Sequence, residues 1–582
     1  MLEARNICYE IEGEEERLFL LNEVNFCIPQ GHFMAIVGPS GCGKTTLLKA
    51  IAGLYEETEG AFFWEGRNLA EEGDFEPGEI GYVPQFSIAY DELTVDESIE
   101  SAARLRVRTD SYEELDDIID RVLAETGLEE IADRRVKILS GGQKRRLALA
   151  MELVSSPKLL LCDEVTSGLD PRSEREIVEL LHALSQKEGR IVISVTHSLA
   201  QMDLYDSILV MNRGCVAYHG LPKMMCHYFG VDNFEEVYPR LTLRKCEEWK
   251  MSWLKHRSLY YERLEKAHIE KFERLGTPPP LPPQKQAGDE EDGETEPLIP
   301  GFWTQFRILL GRRFTILARD RGQLLLQIAM IVIFPIMVSL FADKGKEQLQ
   351  QLTQSRSSDL TEEIQQQQDV AANRAKVGSA VSGIIMFEVI LLGLMGSNNA
   401  SREIAGERHI VEKERFAGTR TGAYLASKAA FLSFLLLIQS IWMFAFVQYF
   451  WPFRGDPSVH LGFLISANAA MTAVCLGISA NARTADQASL LSIYLVGFQL
   501  PLSGAILALP AAMENFIQPF ISAYWAWSGS IRGGLDPEVL KAVTSIVGTT
   551  FAATPVCVAV LAAHIAAGII FAYIGLRRPQ NT

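Results

Sequence analysis

The chain has 582 residues, which is too long for one ordinary domain, and its formal net charge is -18. A globally acidic chain does not supply the clustered lysines and arginines that neutralise phosphates, which argues against a nucleic-acid-binding protein. Charge is concentrated in residues 1–300, whereas residues 324–576 contain several apolar runs of about twenty residues, long enough to span a bilayer as helices. The composition predicts a multi-pass membrane protein with a large soluble head.

The nine cysteines form no CxxC pair and lie in the head or inside apolar runs. This usage predicts reduced thiols and gives no sign of disulfides. The chain opens with a polar stretch that leads into a predicted strand, without a recognisable signal peptide. We therefore expect the head to lie in the cytoplasm, below a plasma or inner membrane.

The first element with a chemical signature is an apolar strand that runs into a glycine-rich loop and then into a helix. The glycines let backbone N–H groups turn toward phosphate oxygens, and the helix N-terminus adds a positive dipole end. Lys44 is expected to reach the β- and γ-phosphates, and Thr45 to ligate Mg²⁺. Tyr9 lies where its ring can stack on a base, although a half-buried strand tyrosine fits equally well. The predicted nucleotide-binding residues of this loop are Gly38, Pro39, Ser40, Gly41, Cys42, Gly43, Lys44, Thr45 and Thr46.

Two later stretches carry polar groups of the same kind. A small-residue loop opens a helix, so its backbone amides and its serine hydroxyl are suited to face an anion. The residues of that loop are Ser140, Gly141, Gly142 and Gln143. An apolar strand then ends at Asp163 and Glu164, and acids at the carboxyl end of a buried strand lie where open α/β sheets bind ligands.

These acids and one histidine have predicted roles in nucleotide hydrolysis. Asp163 is expected to hold Mg²⁺, and Glu164 to orient or deprotonate the attacking water. His197 closes the next apolar strand and is a candidate for contacting the γ-phosphate.

Five features follow one another in the order found in ABC transporter nucleotide-binding domains. They are the glycine-rich loop 38–46 (the P-loop), Gln85 after a strand, the loop 140–143 (the signature loop), the Asp163–Glu164 pair and His197. The chain resembles that family over residues 1–240. The resemblance implies an α/β P-loop NTPase fold that uses ATP and Mg²⁺. It also implies that Gln85 is both a metal-binding and a catalytic residue.

The same resemblance implies an assembly of two chains. In the family, two such domains form a head-to-tail sandwich, so Lys44 and Thr45 of one chain and Ser140 and Gly142 of the other are expected to clamp one ATP. One P-loop and one signature loop per chain predict a dimer. A homodimer and a heterodimer with a related chain both fit.

The chain resembles the G subfamily, the White and multidrug/sterol half-transporters. The resemblance lies in the soluble head preceding the membrane part and in the stretches 6–9, 97–106 and 214–220. The chain departs from the pattern of that subfamily at three places. The signature loop reads Leu-Ser-Gly-Gly-Gln, Val165 replaces the usual proline, and Ser198 follows His197. None of these departures removes a catalytic side chain.

Three segments connect the head to the membrane part. Residues 241–275 are charged and helix-prone, which predicts a surface helical extension with Leu254, Tyr261, Leu264 and Ile269 along one side. Residues 276–300 form a proline-rich and acidic linker that cannot bury enough apolar surface to fold. Residues 301–322 predict an amphipathic helix at the membrane interface, which corresponds to the connecting helix of the G subfamily.

Residues 323–582 predict an all-helical transmembrane domain with six helices. The predicted spans are 323–342, 377–397, 429–450, 460–482, 488–509 and 552–576. Arginines and lysines cluster at alternate ends, so both termini are expected in the cytoplasm. The basic loop 403–428 resembles the coupling helix of the family.

A few residues of the membrane part are candidates for the substrate path. Glu388 lies midway along the second span, where a carboxylate is costly, so it either lines the substrate path or pairs with another helix. Ile506 and Leu507, near the end of the fifth span, resemble the apolar valve of the family.

The sequence as a whole predicts a dimeric, ATP-driven half-transporter that contacts membrane lipids and exports an amphipathic or lipid-like small molecule. Two other hypotheses stay open. One is a membrane-anchored ATPase that performs mechanical or signalling work on an extracytoplasmic partner. The other is an ATP-gated channel.

Overall fold

A computed structural model provides the structure of the chain. It describes residues 1–12, 17–76, 78–85, 89–109, 111–275, 299–342, 360–452, 454–505 and 516–578. The chain divides into two compact units, the first being Met1–Gly301 with Lys413–Thr419, and the second Phe302–Glu412 with Arg420–Thr582. Each unit has its own hydrophobic core. Most of the predicted linker at 276–300 lies outside the described residues.

The first unit has the α/β fold that the sequence predicts, and it contains two sheets. Its strands are β1 (Leu2–Glu12), β2 (Arg17–Ile28), β3 (Phe33–Val37), β4 (Glu59–Trp64), β5 (Arg67–Asn68), β6 (Ile80–Val83), β7 (Leu159–Asp163), β8 (Ile191–Val195), β9 (Ser207–Asn212) and β10 (Cys215–Gly220). A four-stranded sheet has the order β2-β1-β4-β5, and a six-stranded sheet the order β10-β9-β3-β8-β7-β6. Strands β3, β7 and β8 are buried along their whole length, which explains their continuous apolar sequence.

The described residues of the first unit also form α-helices. They are α1 (Lys44–Ile51), α2 (Leu69–Glu72), α3 (Val95–Arg106), α4 (Tyr112–Thr126), α5 (Gly141–Leu153), α6 (Pro171–Ser185), α7 (Pro222–Phe229), α8 (Val237–Thr242) and α9 (Cys246–Leu275). From β9 to β6 all neighbouring strands of the six-stranded sheet are parallel. Their carboxyl ends therefore meet at one edge.

Helix α9 is the predicted charged extension, and it packs into the core of the head through a face that coincides only in part with the predicted apolar side. Its buried side chains are Trp249, Trp253, Tyr260 and Leu264. Of the predicted apolar side, Leu264 is buried and Tyr261 packs against the core. Leu254 and Ile269 are 40% and 41% exposed, so the prediction is wrong for these two residues. The aromatic residues recur at helical spacing and bury more area than the scattered aliphatic ones, which decides the packed face.

Cys215 of β10 and Cys246 at the start of α9 form a disulfide, which corrects the expectation of reduced thiols throughout. Their Cα atoms are 6.4 Å apart although the residues are separated by 31 positions in the chain. A search for closely spaced cysteine pairs misses such a bond, because the fold, not the sequence spacing, brings β10 and α9 together.

A buried cluster of charges lies behind the sheet in the first unit. The guanidinium of Arg106 donates to both carboxylate oxygens of Glu152 at 2.8 and 2.9 Å, and Nζ of Lys413 lies 3.0 Å from the same carboxylate. All three side chains are under a tenth exposed. Burial by itself raises the pKa of Glu152, but Arg106 and Lys413 outweigh it and hold the pKa at about 2.

The chain from residue 302 onward is helical. Its helices are α10 (Phe302–Arg319), α11 (Arg321–Ala342), α12 (Leu360–Ala400), α13 (Arg408–Phe416), α14 (Thr421–Phe450), α15 (Pro457–Asn481), α16 (Ala485–Leu502), α17 (Ser522–Gly534), α18 (Pro537–Thr544) and α19 (Thr554–Arg577).

In the described part of this region, five helices are long and apolar enough to cross a membrane. They are Arg321–Leu340, Arg374–Phe416, Thr421–Phe450, Pro457–Asn481 and Thr554–Arg577. The second range takes in the C-terminal part of α12 together with α13. The remaining predicted span, 488–509, overlaps helix α16, and the count of six spans stays a prediction.

Three amide side chains close a ring of hydrogen bonds inside the second unit. Gln327 of α11 donates to Asn399 of α12 at 2.6 Å, and Asn399 donates to Gln439 of α14 at 3.1 Å. Gln439 donates back to Gln327 at 3.0 Å, and all three side chains are buried. Because each amide both donates and accepts within the ring, three helices are joined without leaving these polar groups unsatisfied in an apolar interior.

Removing the Glu152 carboxylate is expected to destabilise the head strongly. The substitution Glu152→Ala leaves two buried cations unpaired and should lower the free energy of unfolding by about 3–5 kcal/mol. Denaturant unfolding of the detergent-solubilised chain measures this. The control substitution Glu100→Ala removes a more exposed ion pair, between Glu100 and Arg104 of α3. It should lower the free energy of unfolding by less than about 1 kcal/mol. Equal effects of the two substitutions would contradict the buried pairing.

The ion pairs of Glu152 with Arg106 and Lys413 also make the stability of the head sensitive to acid. Because the folded pKa of Glu152 lies below the unfolded value, its contribution is complete above an unfolded pKa of about 4.3. It is lost progressively as the pH falls toward the folded value of about 2. Unfolding curves of wild type and Glu152→Ala should therefore converge over that interval.

The disulfide predicts a protected pair of thiols. When the chain is denatured without reductant and alkylated, peptide mass spectrometry should find Cys215 and Cys246 unmodified, whereas both become modified after reduction. Cys162 is buried but free, and it should react in both denatured samples. Alkylation of Cys215 and Cys246 without reductant would refute the bond.

Candidate functional site

The predicted catalytic residues meet at the carboxyl edge of the six-stranded sheet. Strand β3 leads into the P-loop, β7 ends at Asp163, and β8 ends just before His197. Strand β6 pairs with β7 and ends two residues before Gln85. The parallel register therefore gathers at one edge residues that are far apart in the chain.

The P-loop has the backbone geometry that the glycine pattern predicts. Gly38 and Gly43 have φ values of 153° and 98°. A Cβ atom on Gly38 would lie 2.3 Å from the carbonyl oxygen of Met211, so no larger residue fits there without a shift. The ammonium group of Lys44, at the start of α1, donates to the carbonyls of Gly38 and Pro39 at 3.0 and 3.1 Å. This places its charge over the loop.

The other predicted residues of this loop differ in how exposed their side chains are. Ser40 and Gly41 are exposed at its tip, whereas Cys42 is buried against Gly38 and burial raises the pKa of its thiol. Thr46 lies in the first turn of α1, next to Thr45. Because Cys42 is packed inside and Ser40 lies at the exposed tip, the backbone amides are the groups of this loop best suited to face a phosphate.

Thr45 and Asp163, two of the three predicted Mg²⁺ ligands, are in contact, whereas the third, Gln85, donates to Glu164. The Thr45 hydroxyl donates to Oδ1 of Asp163 at 3.1 Å, and the Tyr82 hydroxyl donates to Oδ2 at 3.3 Å. Burial raises the pKa of Asp163 despite these hydrogen bonds. A buried carboxylate that accepts from two hydroxyl groups gains from a cation, and oxygen ligands of this kind suit Mg²⁺. The residues therefore fit a magnesium ion.

Glu164 is held between the other two predicted catalytic side chains. Nε2 of Gln85 donates to Oε2 of Glu164 at 2.7 Å, and Nε2 of His197 lies 2.6 Å from Oε1. Glu164 has a φ of 48°, a left-handed conformation that non-glycine residues rarely adopt and that is frequent at functional sites. The turn after β7 thus aims this carboxylate at the sheet edge with a defined orientation.

The signature loop makes its own N-cap for α5. The Ser140 hydroxyl accepts a hydrogen bond from the Gln143 amide at 3.3 Å, and the Gln143 side chain accepts one from the Ser140 amide at 3.0 Å. Gly141 and Gly142 lie between them at the first turn, and the loop is largely exposed. This capping box gives Gln143 a structural role and presents a helix N-terminus at the surface of the head.

Three residues of the site were not identified from the sequence. Tyr82 binds Asp163, Arg145 donates to the backbone carbonyl of Gln85, and Tyr55 stacks on Tyr9. Tyr82 lies on β6, three residues before Gln85, so its place near the edge was available from the sequence. The contacts of Arg145 and Tyr55 join distant segments, and no spacing rule reveals them.

The candidate substrate-path residues lie in the second unit. Glu388 of α12 is fully buried, and its Oε2 is 3.0 Å from Nε2 of His460 in α15. This partner favours the interhelical pairing that the sequence analysis left open, and a direct role in the substrate path stays a prediction. Ile506 and Leu507 lie outside the described residues.

Comparisons with known proteins match both units. Residues 21–167 match the family model described as ABC transporter, and residues 304–526 match the model described as ABC-2 type transporter. An ABC transporter ATP-binding/permease protein of Mycobacterium tuberculosis is 27% identical over 91% of this chain and 57% of its own length. ABC transporter G family member 13 of Arabidopsis thaliana is 36% identical over 38% of this chain and 34% of its own length.

A third relative matches the head alone. The energy-coupling factor transporter ATP-binding protein of Mycoplasma mobile is 34% identical over 38% of this chain and 80% of its own length. The chain spans 57% and 34% of the lengths of the first two relatives.

Proposed function

This chain belongs to the ABC transporter family, and from that membership we propose that it is an ATP-driven half-transporter that exports an amphipathic or lipid-like molecule. The observation that carries the proposal is the position of Glu164, held by Gln85 and His197 beside the P-loop, in a chain that also contains an ABC-2 type membrane domain. The resemblance to the G subfamily supports the export direction and the substrate class.

The P-loop residues bind and orient the triphosphate in this proposal. The ammonium group of Lys44 gives up its hydrogen bonds to the carbonyls of Gly38 and Pro39 and donates to phosphate oxygens instead. The backbone amides of the loop surround the β-phosphate. Thr45 and Asp163 are the residues that would hold Mg²⁺, which neutralises charge on the phosphate oxygens when bound.

Glu164 is the proposed general base. Its carboxylate accepts a proton from the attacking water as the water oxygen bonds to the γ-phosphorus, while the bond between that phosphorus and the bridging oxygen breaks and ADP leaves. The donors on Gln85 and His197 fix the two carboxylate oxygens, which limits the orientations that the base can adopt. His197 is 41% exposed, so it is also accessible to a γ-phosphate oxygen.

A second chain completes the site in this proposal. The exposed loop of Ser140 and Gly142 ends in a helix N-terminus, which is suited to a phosphate that another head holds. We infer a homodimer, because one P-loop and one signature loop per chain then form two equivalent sites. A heterodimer with a related chain satisfies the same geometry.

The membrane part supports a cytoplasmic head. Arginines flank α11 and the end of α19, and by the positive-inside rule this supports the proposal that both termini lie in the cytoplasm. The five long apolar helices supply the lipid-facing surface of a multi-pass protein in a plasma or inner membrane.

The substitution Glu164→Gln tests the proposed base. It keeps the shape of the side chain but removes its proton-accepting ability, so ATP hydrolysis should fall at least about 100-fold while ATP binding is retained. Turnover of the purified chain in liposomes and equilibrium ATP binding measure the two quantities. The control Glu179→Gln, on an exposed face of α6, should leave both unchanged. Wild-type turnover by Glu164→Gln would refute the assignment of the base.

The liposome assay also separates the alternative functions. Export predicts ATP-dependent movement of a lipid or amphipathic drug by the purified dimer alone. Hydrolysis without movement of any member of a lipid and drug panel supports mechanical or signalling work on a partner. Ion conductance that is not stoichiometric with turnover supports a gated channel.

A further inference from the structure

The disulfide of Cys215 and Cys246 joins the start of α9 to the hairpin that β9 and β10 form. Cys215 is the first residue of β10 and pairs with Asn212, the last residue of β9. The two residues between them, Arg213 and Gly214, have φ values of 44° and 82°. Positive φ values at both central residues are typical of a tight type I′ hairpin turn. The bond therefore attaches α9 directly beside this turn.

The hairpin turn lies against the P-loop. The backbone N–H of Gly214 donates to the carbonyl oxygen of Cys42 at 2.9 Å. A Cβ atom on Gly38 would lie 2.3 Å from the carbonyl oxygen of Met211, which belongs to β9 of the same hairpin. Because Gly38 and Cys42 both belong to the phosphate-binding loop, a displacement of the hairpin also displaces the amides of that loop.

Helix α9 reaches the same turn by a second route. Lys250, one helical turn after Cys246, donates to the Asn22 side chain at 3.0 Å and pairs with Glu23 at 2.8 Å. The backbone N–H of Asn22 donates in turn to the carbonyl oxygen of Gly214 at 2.9 Å. The first turn of α9 thus holds the hairpin turn through one covalent bond and one chain of hydrogen bonds.

The surroundings of the sulfur atoms also suit the reduced pair. Sγ of Cys246 lies 3.1 Å from the carbonyl oxygen of Asn212 and 3.7 Å from that of Arg213. After reduction of the bond, the Cys246 thiol donates its S–H to the Asn212 carbonyl. The reduced thiol therefore has a hydrogen-bond acceptor in place, while the covalent attachment of α9 to the turn is lost.

The chain just before Cys246 is open to solvent. Cys246 is 7% exposed and Cys215 is 2% exposed. Residues 242–245, which precede α9, are exposed, and Leu243 is 69% exposed. Helix ends open at a lower free energy than packed interiors. Opening of the first turn of α9 therefore brings Cys246 into contact with small molecules in solution.

We propose that Cys215 and Cys246 form a reversible redox modification site, at which a low-molecular-weight disulfide oxidises the pair and thereby raises the affinity of the P-loop for ATP. This inference rests on the proposed function, because it concerns regulation of that nucleotide site in a cytoplasmic head. Disulfides in the cytoplasm are usually transient and redox-sensing. The oxidised pair fixes the hairpin turn before ATP binds, whereas the reduced pair leaves the turn to be ordered on binding.

Oxidation of the pair takes two thiol–disulfide exchange steps. The thiolate of Cys246 attacks one sulfur of the small disulfide, forms a mixed disulfide and releases one small thiolate. The thiolate of Cys215 then attacks Sγ of Cys246, closes the bond within the protein and releases the second small thiolate. The two protein thiols lose two electrons and two protons, and the small disulfide becomes two thiols. Two small thiols reverse the reaction.

The nucleotide affinity of the full-length chain in each redox state tests the proposal. Equilibrium dialysis with a non-hydrolysable ATP analogue, in buffer with reduced or oxidised glutathione, measures the Kd. The Kd should be higher in the reduced chain by about 5-fold or more, which is the lower end of the coupling between two sites. An equal Kd in the two buffers would overturn the proposal.

Substitutions of single cysteines assign the redox response. Cys246→Ala and Cys215→Ala should each have the Kd and the unfolding temperature of the reduced wild type in both buffers. Combining them should cause no further change, because the two cysteines form one bond. If one variant does not fold, the other gives the test. Cys27 is an exposed free cysteine, and Cys27→Ala is the matched control that should keep the response. A response that persists in Cys246→Ala belongs to another thiol, such as Cys42, and would overturn the proposal.

A titration of the wild type with mixtures of reduced and oxidised glutathione tests reversibility. Alkylation followed by peptide mass spectrometry measures the bonded fraction of Cys215 and Cys246. This fraction should fall together with the nucleotide affinity as the mixture approaches the poise of a reducing cytoplasm. A bond that stays complete at that poise would be structural and would overturn the proposal.

The same measurements separate this proposal from the proposed function. Redox-dependent nucleotide binding by a chain that neither hydrolyses ATP nor moves a substrate would overturn the proposed function alone. ATP hydrolysis and export by a chain with the same Kd in both redox states would overturn the redox site alone.

Discussion

The parallel pairing of β3, β8, β7 and β6 is the constraint on which the nucleotide site depends. Parallel strands end at the same edge, so the pairing of Asp163 with Val195 sets the distance between the acids and His197. A shift of one residue in this register would turn Asp163 to the opposite face of the sheet and separate it from Thr45. The order of the strands, more than any single hydrogen bond, brings the P-loop and the acids together.

The nucleotide site could be predicted from the sequence to a large extent because its chemistry uses local patterns. The glycines around Lys44, the apolar strand before Asp163 and the cap at Ser140 each act within a few residues, and the structure has the corresponding loop, strand and helix. The capping box explains one detail that the pattern left out, since Gln143 binds the backbone of Ser140. The roles of these residues in ATP hydrolysis stay predictions.

Contacts between distant segments were the part that the sequence could not supply. Three such features depend on which elements the fold sets side by side. They are the disulfide from Cys215 to Cys246, the stack of Tyr55 on Tyr9 and the buried face of α9. Periodicity identifies a helix but does not choose between two possible faces when both carry apolar residues. In α9 the larger aromatic side chains decide it, because burying them removes more apolar area from water.

The amide ring of Gln327, Asn399 and Gln439 has a consequence for how this chain can vary. Each side chain completes the hydrogen bonding of the other two, so an apolar replacement at one position strands a donor and an acceptor in a membrane interior. Replacing all three by apolar residues of similar volume removes the need for any partner. Lipid-facing residues of the same helices can be substituted one at a time during evolution, whereas these three residues have to be substituted together.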